Sequence, residues 1–163
     1  MTTNLNATDE RLLRAAIALS AQAREAGNQP YGALLADAHG RVLLEAGNTH
    51  VSTRDCTGHA ELNLMRDASP RFDRELLATC TVYASGEPCP MCAGAIYWAG
   101  VRRLVFGLSI ETMTALAGPD ADELALHCAD VLASGTQRVE LLGPALEDEA
   151  RRVFDAAQGQ PRP

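Results

Sequence analysis

The chain has 163 residues, 47% of them apolar and 21% charged, the composition of a globular protein with one hydrophobic core. Its net charge of −7 argues against a nucleic-acid partner, because phosphate binding needs clustered positive charge and the adjacent basic pairs are only Arg102-Arg103 and Arg151-Arg152. All 14 basic residues are Arg, which excludes a lysine Schiff base, a pyridoxal-phosphate linkage and a P-loop lysine within it.

No apolar run is long enough to span a bilayer. Residues 1–10 are polar and acidic, without the basic-then-apolar pattern of a signal peptide, so a cytoplasmic location is expected. Residues 8–26 carry Leu12, Leu13, Ala16, Ile17 and Ser20 at helical spacing, with Thr8 or Asp9 as the cap and Gly27 as the stop. Strands are expected over 32–36 and 42–46, joined through Asp37-Ala38-His39-Gly40 into an antiparallel hairpin in which His39 is a turn residue. Asn48 then opens a loop that runs to Gly58.

A helix over 59–68 turns Leu62, Leu64, Met65 and Ala68 inward and ends at Ser69-Pro70. Residues 75–84 contain the third strand, centred on Cys80-Thr81-Val82-Tyr83. The loop Ser85-Gly86-Glu87-Pro88 delivers Cys89 to a helix start, where Pro90 fits because no backbone N–H is needed there. That helix, 91–99, is almost wholly apolar, so it is expected to be buried; Gly100 ends it. A short strand over 104–107 returns parallel to the third. Residues 110–117 read as one or two helical turns, Gly118-Pro119-Asp120 as a break, 122–133 as a helix and 138–142 as a fifth strand. The last helix, 147–157, places Leu146, Ala150, Val153 and Phe154 on one face, and 158–163 is expected to be a loose tail. With no internal repeat and no linker, 1–163 reads as a single α/β domain of three layers, α-β-α.

Five Cys is an odd number and does not suit the disulfide framework of a small secreted domain. Cys80 in an apolar run and Cys128 in a helix read as core thiols. Cys89 and Cys92 are three apart, so on a helix their side chains share a face. Cys89 at a helix start sits where the dipole favours the thiolate that binds a metal. With His59 they make a ligand set that zinc uses in catalytic sites, the fourth position being left to water. Glu61 is then the group placed to move that water's protons. Two residues apart do not share a face of a regular helix, so His59 and Glu61 are read as straddling a helix start. A second reading stays open here. Cys56-x-x-His59 with Cys89-x-x-Cys92 could close a four-ligand structural zinc site with no chemistry. A chain of this length needs no metal staple, and that reading leaves Glu61 without a role; both points favour the open site.

His59-Ala60-Glu61 with Pro88-Cys89-Pro90-Met91-Cys92-Ala93-Gly94-Ala95 carries the H-x-E…P-C-x-x-C signature of zinc nucleobase deaminases. It resembles the cytidine/deoxycytidylate deaminase superfamily, and within it the branch of guanine deaminases and tRNA-adenosine deaminases, from about Pro30 to Gly107. The resemblance implies a central five-stranded mixed sheet flanked by helices, a homodimer or larger assembly, and Zn2+ held by His59, Cys89 and Cys92. It implies that Glu61 carries protons from water to the ring nitrogen and the leaving ammonia, while backbone N–H groups near Ala60 and Cys89 orient the oxygen side. Asn48, eleven residues before His59, stands where the family has an Asn that hydrogen-bonds the base; a turn Asn at a strand end is the plainer reading. Tyr31 in Pro30-Tyr31-Gly32 stands where a Phe usually lines the base pocket, against a core aromatic. Trp98 in Tyr97-Trp98-Ala99 is similar to guanine deaminases in particular, against a buried helix Trp. Asp120 falls near their second, proton-shuttling carboxylate, against a turn Asp.

Three functions compete. A deaminase of a free nucleobase, guanine or a related amino-heterocycle, is favoured by the acidic charge, Tyr-Trp-Ala and the Asp120 region. A tRNA-adenosine deaminase would need a basic surface, yet the closing helix starts Glu147-Asp148-Glu149. A non-enzymatic zinc module is the third. The chain departs from guanine deaminases at Asp55-Cys56-Thr57-Gly58, where they typically have Asp-Pro-Thr-Ala, at Ser85-Gly86-Glu87, where a Cys often precedes the Glu, and in its C-terminal helix. Cytosine, a triazine or another aminopurine therefore stays open as substrate. A small-molecule substrate is expected, with neither nucleic acid nor membrane as partner.

Overall fold

Helix α1 (Ala7–Glu25) buries Leu12, Leu13, Ala16, Ile17, Ser20 and Ala23, a stripe at helical spacing. In this computed structural model, which describes residues 4–156, its cap is neither Thr8 nor Asp9 but Asn6. The Asn6 side chain accepts from the Asp9 backbone N–H at 2.9 Å, and the Asp9 carboxylate accepts from the Asn6 N–H at 3.3 Å, a capping box. Asp9 thus falls inside the first turn and points into the sheet. There it accepts from the Tyr83 hydroxyl at 2.7 Å and from Arg103 Nη1 and Nη2 at 2.7 and 2.9 Å.

Strands β1 (Gly32–Ala36), β2 (Val42–Gly47), β3 (Thr81–Gly86), β4 (Arg103–Leu108) and β5 (Glu140–Leu142) form one mixed sheet in the order β2-β1-β3-β4-β5. β1 runs antiparallel to β2 and to β3, whereas β3, β4 and β5 are parallel. Both β1 and β3 are buried along their whole length, as central strands covered on two faces must be. Successive β1 side chains alternate between two cores: Ala33 and Leu35 on one face, Leu34 and Ala36 on the other. The first core packs under α3 (Ala60–Ala68), α5 (Pro90–Ala99) and α7 (Cys128–Ala133), with Leu64, Ile96, Phe106 and Leu132. The second packs under α1 and α8 (Glu147–Asp155), with Leu12, Tyr83, Val105 and Phe154. This is the expected three-layer α/β arrangement.

Several local expectations change. A short helix α2 (His50–Thr53) interrupts the 48–58 loop, and α4 (Arg74–Thr79) takes up the first half of the stretch expected to hold the third strand, so that β3 starts only at Thr81. Asp73 starts α4 by accepting from the Leu76 N–H at 2.8 Å. Leu62 is only half-buried; Glu61 takes an inward place on α3 with Leu64, Met65 and Ala68. Residues 110–117 form α6 (Ile110–Ala117), about two turns as expected, capped by Ser109. α7 begins only at Cys128, because residues 122–126 are exposed and have no apolar face to dock. α5 forms as expected but is not wholly buried. Cys92, Ala93 and Ile96 face the core while Trp98 is 76% exposed. The tail at 158–163 lies outside the described residues. Among the described residues no helix is long and apolar enough to cross a membrane.

One edge of the sheet gathers the loops that matter. Gly86 pairs with Leu108 at the C-terminal ends of β3 and β4, and the Gly32 N–H donates to Ser85 Oγ at 3.0 Å, so Tyr31 arrives at the same edge. The chain leaves this edge into Glu87-Pro88-Cys89, and ligand sites in open α/β sheets favour that end of the parallel strands.

Candidate active site

His59 and Cys89 occupy equivalent places. Each is the N-cap residue of a helix, α3 and α5 respectively, each has extended backbone, and neither side chain makes a capping hydrogen bond. Cys92 follows one turn into α5 and is buried. The donor atoms of His59, Cys89 and Cys92 all lie within 4.8 Å of one another, with His59 Nδ1 3.6 Å from Cys89 Sγ. Cys56 is exposed and stands outside this cluster, so the four-ligand alternative is not built.

The chemistry of the donor set fits Zn2+, which binds imidazole and thiolate. A hydrogen bond from the Cys92 thiol and another from His59 outweigh burial and bring Cys89 down to about 4, so it is held as a thiolate. The same hydrogen bond, with burial, drives Cys92 up, and His59 is raised by its bond to Cys89. Glu61, in the first turn of α3, is 5% exposed. Burial pushes its carboxyl up to about 7; the Cys89 charge adds to this, and the His59 charge and a hydrogen bond with Cys92 oppose it. A carboxyl that changes protonation near neutrality beside a metal-ligand cluster can serve as acid and as base.

The other expected residues divide. Asn48 is buried; its Oδ1 accepts from the His50 N–H at 3.0 Å, which is the turn role, while its Nδ2 makes only a long contact of 3.4 Å to Gln29. Ala60 is the first residue of α3, where helix N–H groups lack intrahelical acceptors. The Tyr31 ring packs edge-on to Phe154 at 6.0 Å. A Cβ on Gly86 would stand 3.4 Å from Tyr31 Cε1 and 2.9 Å from Met113 Sδ, so the bare glycine lets these side chains close on the strand end. Trp98 is not brought to the cluster within this chain. Nine residues beyond Cys89 along α5, it lies roughly 13 Å further on at the exposed end of the helix. Asp120 is exposed after the Gly118 turn, as are Asp122 and Glu123 further along the same segment. His50 was also missed: its ring lies 6.3 Å from that of His59, and its buried Nδ1 has no hydrogen-bond partner.

A sequence profile of the cytidine and deoxycytidylate deaminase zinc-binding region matches residues 6–108. A probable cytosine deaminase of Schizosaccharomyces pombe is 39% identical over 150 residues, 91% of each chain. A tRNA-specific adenosine deaminase of Haemophilus influenzae is 38% identical over 101 residues, 62% of this chain and 58% of its own. Among solved structures, guanine deaminase from Nitrosomonas europaea superposes with a TM-score of 0.74 at 21% identity, over 96% of this chain and 95% of that one, a likeness of fold.

Proposed function

We propose that this chain, which belongs to the cytidine and deoxycytidylate deaminase family, is a zinc-dependent hydrolytic deaminase of a free nucleobase or related amino-heterocycle. The observation that carries this reading is the burial of Glu61 beside the three donors His59, Cys89 and Cys92. These three residues would hold Zn2+, which when bound supplies the acidity that brings water's deprotonation near neutral pH. Glu61 takes the two protons of the attacking water in turn on its carboxylate, giving one to the ring nitrogen and the other to the amino group, which departs as ammonia. The Ala60 N–H orients the substrate, Asn48 Nδ2 donates to the base and Tyr31 walls the pocket.

A small substrate is supported by charge. A polyphosphate strand approaching this edge would meet Glu111, Asp120, Asp122 and Glu123, all exposed. The likeness over nearly the whole chain to a probable cytosine deaminase extends the choice of ring beyond guanine. Cytosine and guanine share the reacting unit, an amino group on a carbon doubly bonded to a ring nitrogen. The zinc-loaded protein is therefore assayed for ammonia release from free cytosine, guanine, other aminopurines and triazines, from nucleosides, and from a tRNA anticodon stem-loop. Release from a free base is expected; release from the stem-loop alone overturns the small-base reading. The working form is a homodimer in the cytoplasm. The half-exposed Met91, Gly94 and Ala95 and the exposed Trp98 make an apolar stripe on α5 that supports a second copy as partner, and a reducing compartment suits five free thiols.

A further inference from the structure

Glu87 lies two residues before Cys89, is 5% exposed, and has both carboxylate oxygens in use. Oε2 accepts from the Ile110 N–H at 3.0 Å; Oε1 accepts from the Cys128 N–H at 3.0 Å and lies 3.2 Å from His127 Nδ1. One carboxylate thus holds the first residues of both α6 and α7. α6 leans on the core beneath α1, through Met113 and Leu116, whereas α7 belongs to the opposite core through Cys128 and Leu132. Residues 118–127 therefore pass from one helical layer to the other over the edge of the sheet that carries the site. This crossing joins two helices whose first residues both sit on Glu87, two residues before Cys89. Its middle is thinly held, since Leu124 and Leu126 are 70% and 49% exposed.

At the far end of this crossing, His127 Nε2 reaches Glu111 Oε1 at 3.0 Å. Two ring nitrogens that each face a carboxylate oxygen call for two N–H donors, which only the imidazolium has. The groups facing the ring are Glu87 from the β3–α5 loop, Glu111 from α6 and Asp130 from α7, with the buried Cys128 thiol behind Glu87. Glu87, Glu111 and His127 also have the spacing of a cation site, but the Glu87 oxygens are already taken by N–H donors, which suits a clasp better.

Resting on the deaminase reading above, we propose that His127 is a positioning residue. It clasps the end of residues 118–126 to Glu87 and Glu111, close to Cys89, and so holds that crossing in place for the bound base. In the zinc-loaded protein, His127→Ala raises KM for the base by roughly tenfold, about what one hydrogen bond to a charged group is worth, with a smaller change in kcat. His127→Asn keeps a donor toward Glu87 and recovers part of the loss; Glu111→Ala removes only the outer contact and gives a weaker version of it. The wild-type KM climbs as rising pH takes the second proton from the ring, and the climb is absent from His127→Asn assayed with the same base. At fixed pH, amide hydrogen exchange over residues 118–126 speeds up in His127→Ala while zinc content stays the same. Unchanged exchange or unchanged KM overturns the proposal. If His127→Ala does not fold, exchange and KM are measured on His127→Asn and Glu111→Ala instead, and an unchanged value of either overturns it equally. If wild type turns over no base, the deaminase reading fails, and exchange alone decides the clasp.

Discussion

Glu61 and Cys89 share one low-dielectric corner, yet the same burial ends differently for each. At Glu61 burial outweighs a backbone hydrogen bond, the His59 charge and a hydrogen bond with Cys92, and the carboxyl rises to about 7; Cys89 receives hydrogen bonds from Cys92 and His59 that outweigh its burial and falls to about 4. One residue is left able to trade a proton, the other is left as a ligand. Glu61→Gln, which keeps the shape, is expected to retain full zinc by metal analysis and to lower turnover by at least roughly 100-fold in the ammonia assay. Cys92→Ala is expected to lose the metal, and Cys56→Ala to keep it, since only the first belongs to the donor cluster. These core residues were legible in the sequence because each half of the site is local: His59 and Glu61 flank one helix start, Cys89 and Cys92 the first turn of another. His50 was not legible, because it stands on a four-residue helix too short to show a period, and the segment of Asp120 and Glu123 has no periodicity that would place its carboxylates.

At the scale of elements, α1, already packed on the second core, is also tied to β3 and β4 by one buried carboxylate, Asp9. Burial alone would raise the Asp9 carboxyl, but hydrogen bonds from Arg103 and Tyr83, and the Arg103 charge, hold it below the ordinary carboxylate value. A carboxylate lowered in the folded state adds stability above its unfolded pKa of about 3.9 and loses it as pH falls through the folded value. Asp9→Asn is therefore expected to destabilise the protein by about 1–3 kcal/mol at pH 7. The gap from wild type should close below about pH 4, as read from urea midpoints at pH 7 and pH 3. The sequence could not reveal this tie, because Asp9 resembles any acidic residue of a first helical turn until β3 and β4 place Tyr83 and Arg103 beside it. Long periodic elements such as α1 and the apolar runs of β1 and β3 were readable from pattern alone. α2 and α4, of four and six residues, are too short to show a period and form because tertiary contacts and the Asp73 cap favour them.

For the whole molecule, the feature that sequence pattern misjudged is α5. Its apolar composition suggested burial on every side, but one chain covers only the face of Cys92, Ala93 and Ile96. Met91, Ala95 and Trp98 recur at the spacing of a single open face, and a Cβ at Gly94 would meet nothing within 4 Å. Trp98→Asp is expected to shift sedimentation equilibrium from twice the 17.3 kDa chain mass toward the single chain, with the circular dichroism spectrum unchanged. A second consequence follows from the two N-caps. At His59 and Cys89, α3 and α5 forgo the side-chain cap that typically steadies a helix start by about 1 kcal/mol, while both cores close on contacts that do not involve the three donor side chains His59, Cys89 and Cys92. Chelation should then fray two first turns and leave the architecture standing, so that Co2+ can be exchanged in without refolding. Its visible absorption bands would turn the pocket into its own indicator, changing colour intensity as candidate bases are titrated.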